Sequence, residues 1–219
     1  MGPILLTAIK KRLPLRKYTN ALRLVNSKAD HLDGLVLEQY DRHFVAQVFD
    51  SRWLNRTEEL NNFLCQHFNV DFFIIKDRSK STRSTADAFQ TSIIIDKSPS
   101  TCIVQENGLN FKVDLNDTLN TGLFLDMRAN RLKIAQSCAS RKVLNCFAYT
   151  CSFGVYARAF KAAEVVNVDI SPKILQRGQV NYEINKLAFS QKEFIKADAR
   201  EYLKKAVKIN NSFDIIIID

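Results

Sequence analysis

Between residues 142 and 169 the chain reads KVLNCFAYTCSFGVYARAFKAAEVVNVD, and the period of its apolar positions changes twice. A continuous apolar run over 143–147 enters a turn of small and polar residues. Apolar residues then recur at helical spacing over 153–163, and a second continuous run over 165–168 closes on an acid, Asp169. Continuous runs of this length predict buried parallel strands, and the helical spacing between them predicts a crossover helix. Strand, turn, helix, strand and terminal acid is the nucleotide-binding half of a doubly wound α/β sheet. The turn of such a unit sets unpaired backbone N–H groups and the positive end of the helix dipole beside the ligand. The acid lies near the C-terminal end of the next strand, where a carboxylate can accept both hydroxyls of a ribose. The pattern therefore predicts a site for a nucleoside-containing cofactor.

Upstream the pattern is of another kind. Residues 1–20 carry Lys10, Lys11, Arg12, Arg16 and Lys17 and no acid, and look helical around Pro14; they read as a basic segment, the vestige of a preceding module. A loop then leads to strands over 35–39 and 44–49, and Asp41-Arg42 between them predicts a hairpin. Leu54, Leu60, Phe63, Leu64 and His67 predict a helix over 53–68, and 72–75 a short buried strand. Residues 76–90 mix Lys76, Arg78, Lys80 and Arg83 with Ser and Thr and have almost nothing to bury. That composition fits a solvated loop and a phosphate-contacting, RNA-binding arm equally well. Glu106-Asn107-Gly108, between runs over 101–105 and 109–114, is a strong hairpin signal. Residues 21–116 thus predict a small α+β domain ahead of an α/β domain over 117–219.

Within the second domain, residues 121–136 open in a turn and become an amphipathic helix, with Asp126, Arg128 and Arg131 at its start. Arginines there oppose the helix dipole, so a ligand-facing role competes with a surface salt-bridge cluster. Ser171-Pro172 supplies an N-cap and a first-turn proline for a helix reaching about residue 185. A third strand is predicted over 192–196, ending near Asp198, and a helix with a basic outer face over 200–208. Residues 213–219 predict a fourth strand tipped by Asp219, whose four consecutive isoleucines suit the middle of a parallel sheet covered on both faces. A sheet stopping there would have a raw hydrophobic edge, so the chain reads as a fragment or the product of a truncated gene.

Composition narrows the partners. The chain has 219 residues, 46% hydrophobic and 25% charged, ordinary for a globular protein. No apolar run approaches the ~20 residues that span a bilayer, and the N-terminus lacks the charge order and cleavage site of a signal peptide. Five cysteines without metal-type pairing predict reduced thiols, a cytoplasmic protein and no metal. Lys and Arg number 32 against 23 Asp and Glu, a net charge of +9 that suits a polyanion such as nucleic acid. The oligomeric state is left open.

Asp169, Asp198 and Asp219 fall at the ends of successive predicted strands, where open α/β sheets bind ligands. The turn over 145–154 has one glycine, Gly154, and lacks the G-x-G-x-x-G fingerprint of a nicotinamide-dependent oxidoreductase. S-adenosylmethionine suits it better, having a ribose, an adenine and a zwitterionic amino acid but no phosphate to cradle.

At these residues a family resemblance becomes specific. NTGLFLDMRANR, VLNCFAYTCSF, VVNVDIS, NKL, FIKADAR and FDIIIID, in this order and spacing, resemble class I S-adenosylmethionine-dependent methyltransferases of bacterial large-subunit (23S) ribosomal RNA. Among these the cytosine-C(5) family is closest, and RLVNSKADHLDGLVLEQYDRHFVAQ resembles the opening of its middle domain, R-L-x-x-G-E-x-D-G-L-P-G-L. The resemblance covers roughly residues 20 to 219. It implies a Rossmann-like methyltransferase sheet, incomplete at its C-terminus, that acts on ribosomal RNA. By the same resemblance Phe124, Asp126 and Arg128 flank the cofactor, and Asn145, Phe147, Tyr149, Thr150 and Cys151 surround its amino-acid part. Asp169, with Ile170 beside it, takes the ribose hydroxyls; Asp198, with Ala199, takes the adenine amino group. Asp219 begins the D-P-P motif that borders the target base.

Two departures stand out. The family's Tyr-Thr-Gly-Gly is here Tyr149-Thr150-Cys151-Ser152, and a side chain where glycine serves a positive φ costs on the order of 1 kcal/mol or more. A thiol there could also crowd the methionine moiety. The family's catalytic cysteine, beyond D-P-P, is absent, and Cys65, Cys102, Cys138, Cys146 and Cys151 read as small buried hydrophobes. The leading expectation is an enzyme forming 5-methylcytosine. The alternatives are a guanine-nitrogen methyltransferase and a non-catalytic RNA-binding remnant.

Overall fold

A computed structural model describes residues 1–79 and 90–218. The chain forms two compact units, Met1–Gly108 with Val113–Thr121, and Leu109–Lys112 with Gly122–Asp219.

The first unit holds a five-stranded sheet in the order β1 (Ala21–Asn26), β2 (Leu35–Tyr40), β3 (His43–Val48), β4 (Phe72–Asp77) and β5 (Gln90–Asp96). The predicted hairpin is β2–β3, closed by Tyr40 opposite His43, with Asp41 at a φ of 57°. Aspartate tolerates that left-handed position, which is why Asp41-Arg42 reads as a turn. β3 and β4 run parallel, joined through α2 (Thr57–His67), which buries Leu60, Phe63 and Leu64. The helix expected over 53–68 begins instead as a 3₁₀ turn, Ser51–Arg56. β1 lies where a loop was expected, because a bulge between Arg23 and Val25 breaks the alternation that would have signalled it.

Residues 1–20 are likewise not a separate basic segment. Helix α1 (Gly2–Arg12) buries Leu5, Ala8 and Ile9, spaced along one face, in the same apolar cluster as the strands and α2. Its charge is partnered too: both terminal nitrogens of Arg12 donate to the Asp30 carboxylate at 2.6 Å.

β6 (Thr101–Glu106) and β7 (Leu109–Asp114) make a two-stranded sheet. Asn107 and Gly108 turn it with φ of 49° and 82°, the two left-handed residues that an Asn-Gly hairpin requires.

The second unit is built on a four-stranded parallel sheet in the order β10 (Phe194–Lys196), β9 (Glu164–Asp169), β8 (Lys142–Cys146) and β11 (Ile215–Ile218). Helices α3 (Arg128–Ala135), α4 (Ser152–Ala159), α5 (Pro172–Ile184) and α6 (Ala199–Lys208) complete it. From β8 the chain steps outward to β9 and β10, then returns to β11 on the other side of β8. That reversal puts a topological switch point at the C-terminal end of β8, where such sheets bind ligands. Asn145 and Asn167, paired in register on β8 and β9, form a buried polar chain: Asn145 Nδ2 donates to Asn167 Oδ1 (3.0 Å), and Asn167 Nδ2 to the Tyr182 hydroxyl (3.1 Å). The isoleucine strand differs from expectation. Among the described residues β11 pairs with β8 alone; Ile217 is buried, while Ile216 and Ile218 are exposed.

Candidate cofactor site

Immediately after β8 the backbone takes an unusual course. Phe147, Tyr149 and Cys151 have φ of 54°, 48° and 59°, three left-handed residues with side chains in one five-residue loop. Such conformations persist only where the surroundings over-determine them, and they collect at ligand sites. Here the restraints are visible. Ala148 N–H donates to Val168 O (3.0 Å), Cys151 N–H to Ala148 O (2.7 Å), and Thr150 Oγ1 to Gly122 O (2.6 Å). Tyr149 N–H donates to Asp169 Oδ2 at 2.9 Å, while Asp169 Oδ1 accepts from Ser171 N–H at 2.9 Å. The acid that closes β9 thus ties the loop to the start of α5.

The loop walls a cleft of ≈ 280 Å³ lined by Phe124, Asp126, Met127, Asn145, Phe147, Ala148, Tyr149, Ser152 and Phe153. Arg131 contacts two of these residues. This buried guanidinium donates to Phe124 O at 2.9 Å and stands 5.9 Å from the centre of the Phe153 ring. The Phe124 and Tyr149 rings meet at 5.2 Å. An arginine at the head of α3, unexpected for capping, is therefore a brace for the cleft's aromatic wall.

The other expected site residues are placed as follows. Asp198 N-caps α6, its Oδ1 accepting the Arg200 and Glu201 N–H groups at 2.8 and 3.2 Å. Ala199 is buried at the head of that helix, and Ile170 is 70% exposed beside Asp169. Arg128 opens α3; Thr150 and Cys151 are buried, and none of the three lines the cleft. Asp219, Lys80 and Arg83 lie outside the described residues.

Lys76 and Arg78 depart from an exposed arm. Both are buried: Lys76 Nζ donates to Asp117 O, and Arg78 Nη2 to Thr118 O at 2.6 Å. Their partners are backbone carbonyls about 40 residues away in sequence, which no local pattern announces.

Sequence reasoning missed Met127, Ala148, Ser152 and Phe153 as cleft walls, although all adjoin motif residues. It also missed Asn181 of α5, which is buried and donates from Nδ2 to Thr150 O at 3.0 Å. Burial pushes the thiols of Cys146 and Cys151 up, Cys151 far up with the Asp169 charge adding to it. Both are held as neutral thiols, which suits packing and not nucleophilic attack.

The donor set fits S-adenosylmethionine. Asp169 and Asp198 each offer a carboxylate at a strand end, the latter with Oδ2 unengaged among the described residues. The cleft joins the aromatic side chains of Phe124, Phe147, Tyr149 and Phe153 to the polar ones of Asp126, Asn145 and Ser152. Switch-point loop, strand-end acids and aromatic cleft define a nucleoside-cofactor domain of the Rossmann-like kind.

Comparison with known proteins makes the class specific. Residues 85–219 match the S-adenosylmethionine-dependent methyltransferase family, and the chain belongs to it. It is 30% identical over 214 residues to ribosomal RNA large subunit methyltransferase I of Aliivibrio fischeri, covering 97% of this chain and 54% of the relative. A solved structure from Streptococcus mutans superposes with a TM-score of 0.88 at 27% identity, covering 100% of this chain and 57% of that one. A crystal structure complexed with S-adenosylhomocysteine also has a TM-score of 0.88 at 27% identity, covering 100% and 56%. The chain spans about half the length of the curated relatives it matches.

Proposed function

We propose that this chain holds S-adenosylmethionine for methyl transfer to large-subunit ribosomal RNA, with carbon five of a cytosine as the acceptor. The observation that carries the reading is the left-handed loop 147–151, fastened by Tyr149 N–H to the Asp169 carboxylate at the edge of the cleft. When bound, the cofactor supplies an electrophilic methyl group on its sulfonium. The chain's own residues do the holding: Asp169, with Ile170 beside it, orients the ribose, Asp198 and Ala199 border the adenine, and Phe124, Asn145 and Tyr149 enclose the amino-acid end. The relatives' large-subunit rRNA activity and the net charge of +9 support an RNA substrate.

Calorimetric titration with S-adenosylhomocysteine tests the cofactor, and absence of heat and of thermal protection overturns it. Incubation with unmodified ribosomal RNA and methyl-labelled cofactor, followed by nucleoside analysis, tests the acceptor. Labelled 5-methylcytidine supports the reading, whereas methylguanosine replaces the cytosine with a guanine nitrogen. Cofactor binding with RNA binding but no transfer would make the chain a non-catalytic RNA-binding module.

A further inference from the structure

Cys151 combines a left-handed backbone with a side chain in the loop that borders the cofactor cleft. Its thiol does not enter that cleft. The residue is fully buried, and the cleft wall passes from Tyr149 to Ser152 without it. The space it fills belongs to α5. A Cβ built on Gly178 would collide with Cys151 Sγ and stand 3.0 Å from Cys151 Cβ. One turn further along the same face, Asn181 donates to Thr150 O at 3.0 Å and accepts from Lys112 N–H at 2.9 Å. Gly178 lies inside a 13-residue helix with no positive φ to require it, and glycine there is less favourable than alanine. Close packing supplies the missing reason.

We infer that Cys151 and Gly178 are a matched pair of positioning residues. The absent methyl at 178 is the socket for the thiol; the occupied socket, with the Asn181 bond beside it, holds the loop in its left-handed course and keeps sulfur out of the cleft. The volume can stand on the loop or on the helix, not on both. The consequence for ligand binding rests on the cleft being the S-adenosylmethionine site.

A double-mutant cycle in this chain tests the pair: Gly178→Ala, Cys151→Gly and the two together. Gly178→Ala is expected to lower the urea midpoint, to expose Cys151 to iodoacetamide, and to weaken S-adenosylhomocysteine binding by about tenfold or more. Adding Cys151→Gly is expected to recover midpoint and affinity, since the new methyl fills the vacated socket. Additive midpoint changes, or a Cys151 as protected in Gly178→Ala as in the parent, overturn the pair. Coupled midpoints with equal affinities in all four proteins overturn its role at the cleft. If Gly178→Ala does not fold, recovery of folded protein in the double variant supports the pair and failure to recover overturns it. A parent chain that binds no S-adenosylhomocysteine overturns the cofactor reading alone, and the midpoint and alkylation arms still decide the pair.

Discussion

Asp169 engages both carboxylate oxygens with backbone N–H groups, one in the 147–151 loop and one at the start of α5. Hydrogen bonds to a charged group contribute about 1.5–3 kcal/mol each, and more is lost when a buried donor is left unpaired. Asp169→Ala is therefore expected to lower unfolding free energy by about 2–4 kcal/mol and to weaken S-adenosylhomocysteine binding at least about tenfold, with a smaller loss for Asp169→Asn. Urea denaturation and calorimetry read the two effects separately; lost stability with unchanged affinity would confine the residue to the fold. The cysteines make a second residue-scale prediction. Cys65 is exposed, while burial pushes the Cys151 thiol far up. Iodoacetamide at about pH 8 should label Cys65 and spare Cys151, as read by peptide mass spectrometry. Labelled Cys151 in the native chain would contradict its burial.

At the scale of elements, α4 is fitted to β9 and α5 without slack. A Cβ on Gly154 would collide with Asn167 Oδ1 and lie 2.6 Å from the Tyr182 hydroxyl. Gly154→Ala should therefore break the buried Asn145–Asn167–Tyr182 chain and cost about 1–3 kcal/mol, measured as a shift in urea midpoint; a neutral result would mean that the helix can move aside. Strand β4 carries a different device. Burial, and after it the charge of Arg78, lowers Lys76 from 10.5 to about 8, with Asp117, Glu38 and Asp114 pulling the other way. Between those values the unfolded chain keeps a proton that the folded chain has released. Lys76 therefore makes stability rise with pH from about 8 to about 10.5 and contributes no slope below. Lys76→Met should remove that share of the rise, and denaturation of both proteins at about pH 7.5 and 9.5 measures it. Equal slopes would place Lys76 in a solvated setting. Residues 76–90 read equally as a solvated loop or a phosphate arm because sequence composition reports charge. It does not report that two of those charges are turned inward onto carbonyls of residues 117 and 118.

For the molecule as a whole, the charge of +9 belongs with the proposed RNA substrate. Binding to ribosomal RNA should fall at least about tenfold between about 50 and 200 mM salt, as counterions compete for the phosphates. Filter binding across that range measures the slope, and a flat response would leave the charge unconnected to RNA. The sequence by itself determined the parallel sheet of the second unit, the acid Asp169 that closes β9 and the turn that follows β8. Periodicity and terminal acids are local properties, and a continuous apolar run has few other ways to be buried. It also determined the hairpins at Asp41 and at Asn107-Gly108, whose left-handed residues are local requirements. Strand β1, hidden by its bulge, and the inward turn of Lys76 depend on partners far along the chain. So does the fate of the Cys151 side chain. From sequence, Cys151 and Ser152 in place of two glycines read as an obstacle to the cofactor. Only the tertiary structure decided where the sulfur goes, because the room for it is the missing methyl of Gly178, on a helix 27 residues further along the chain.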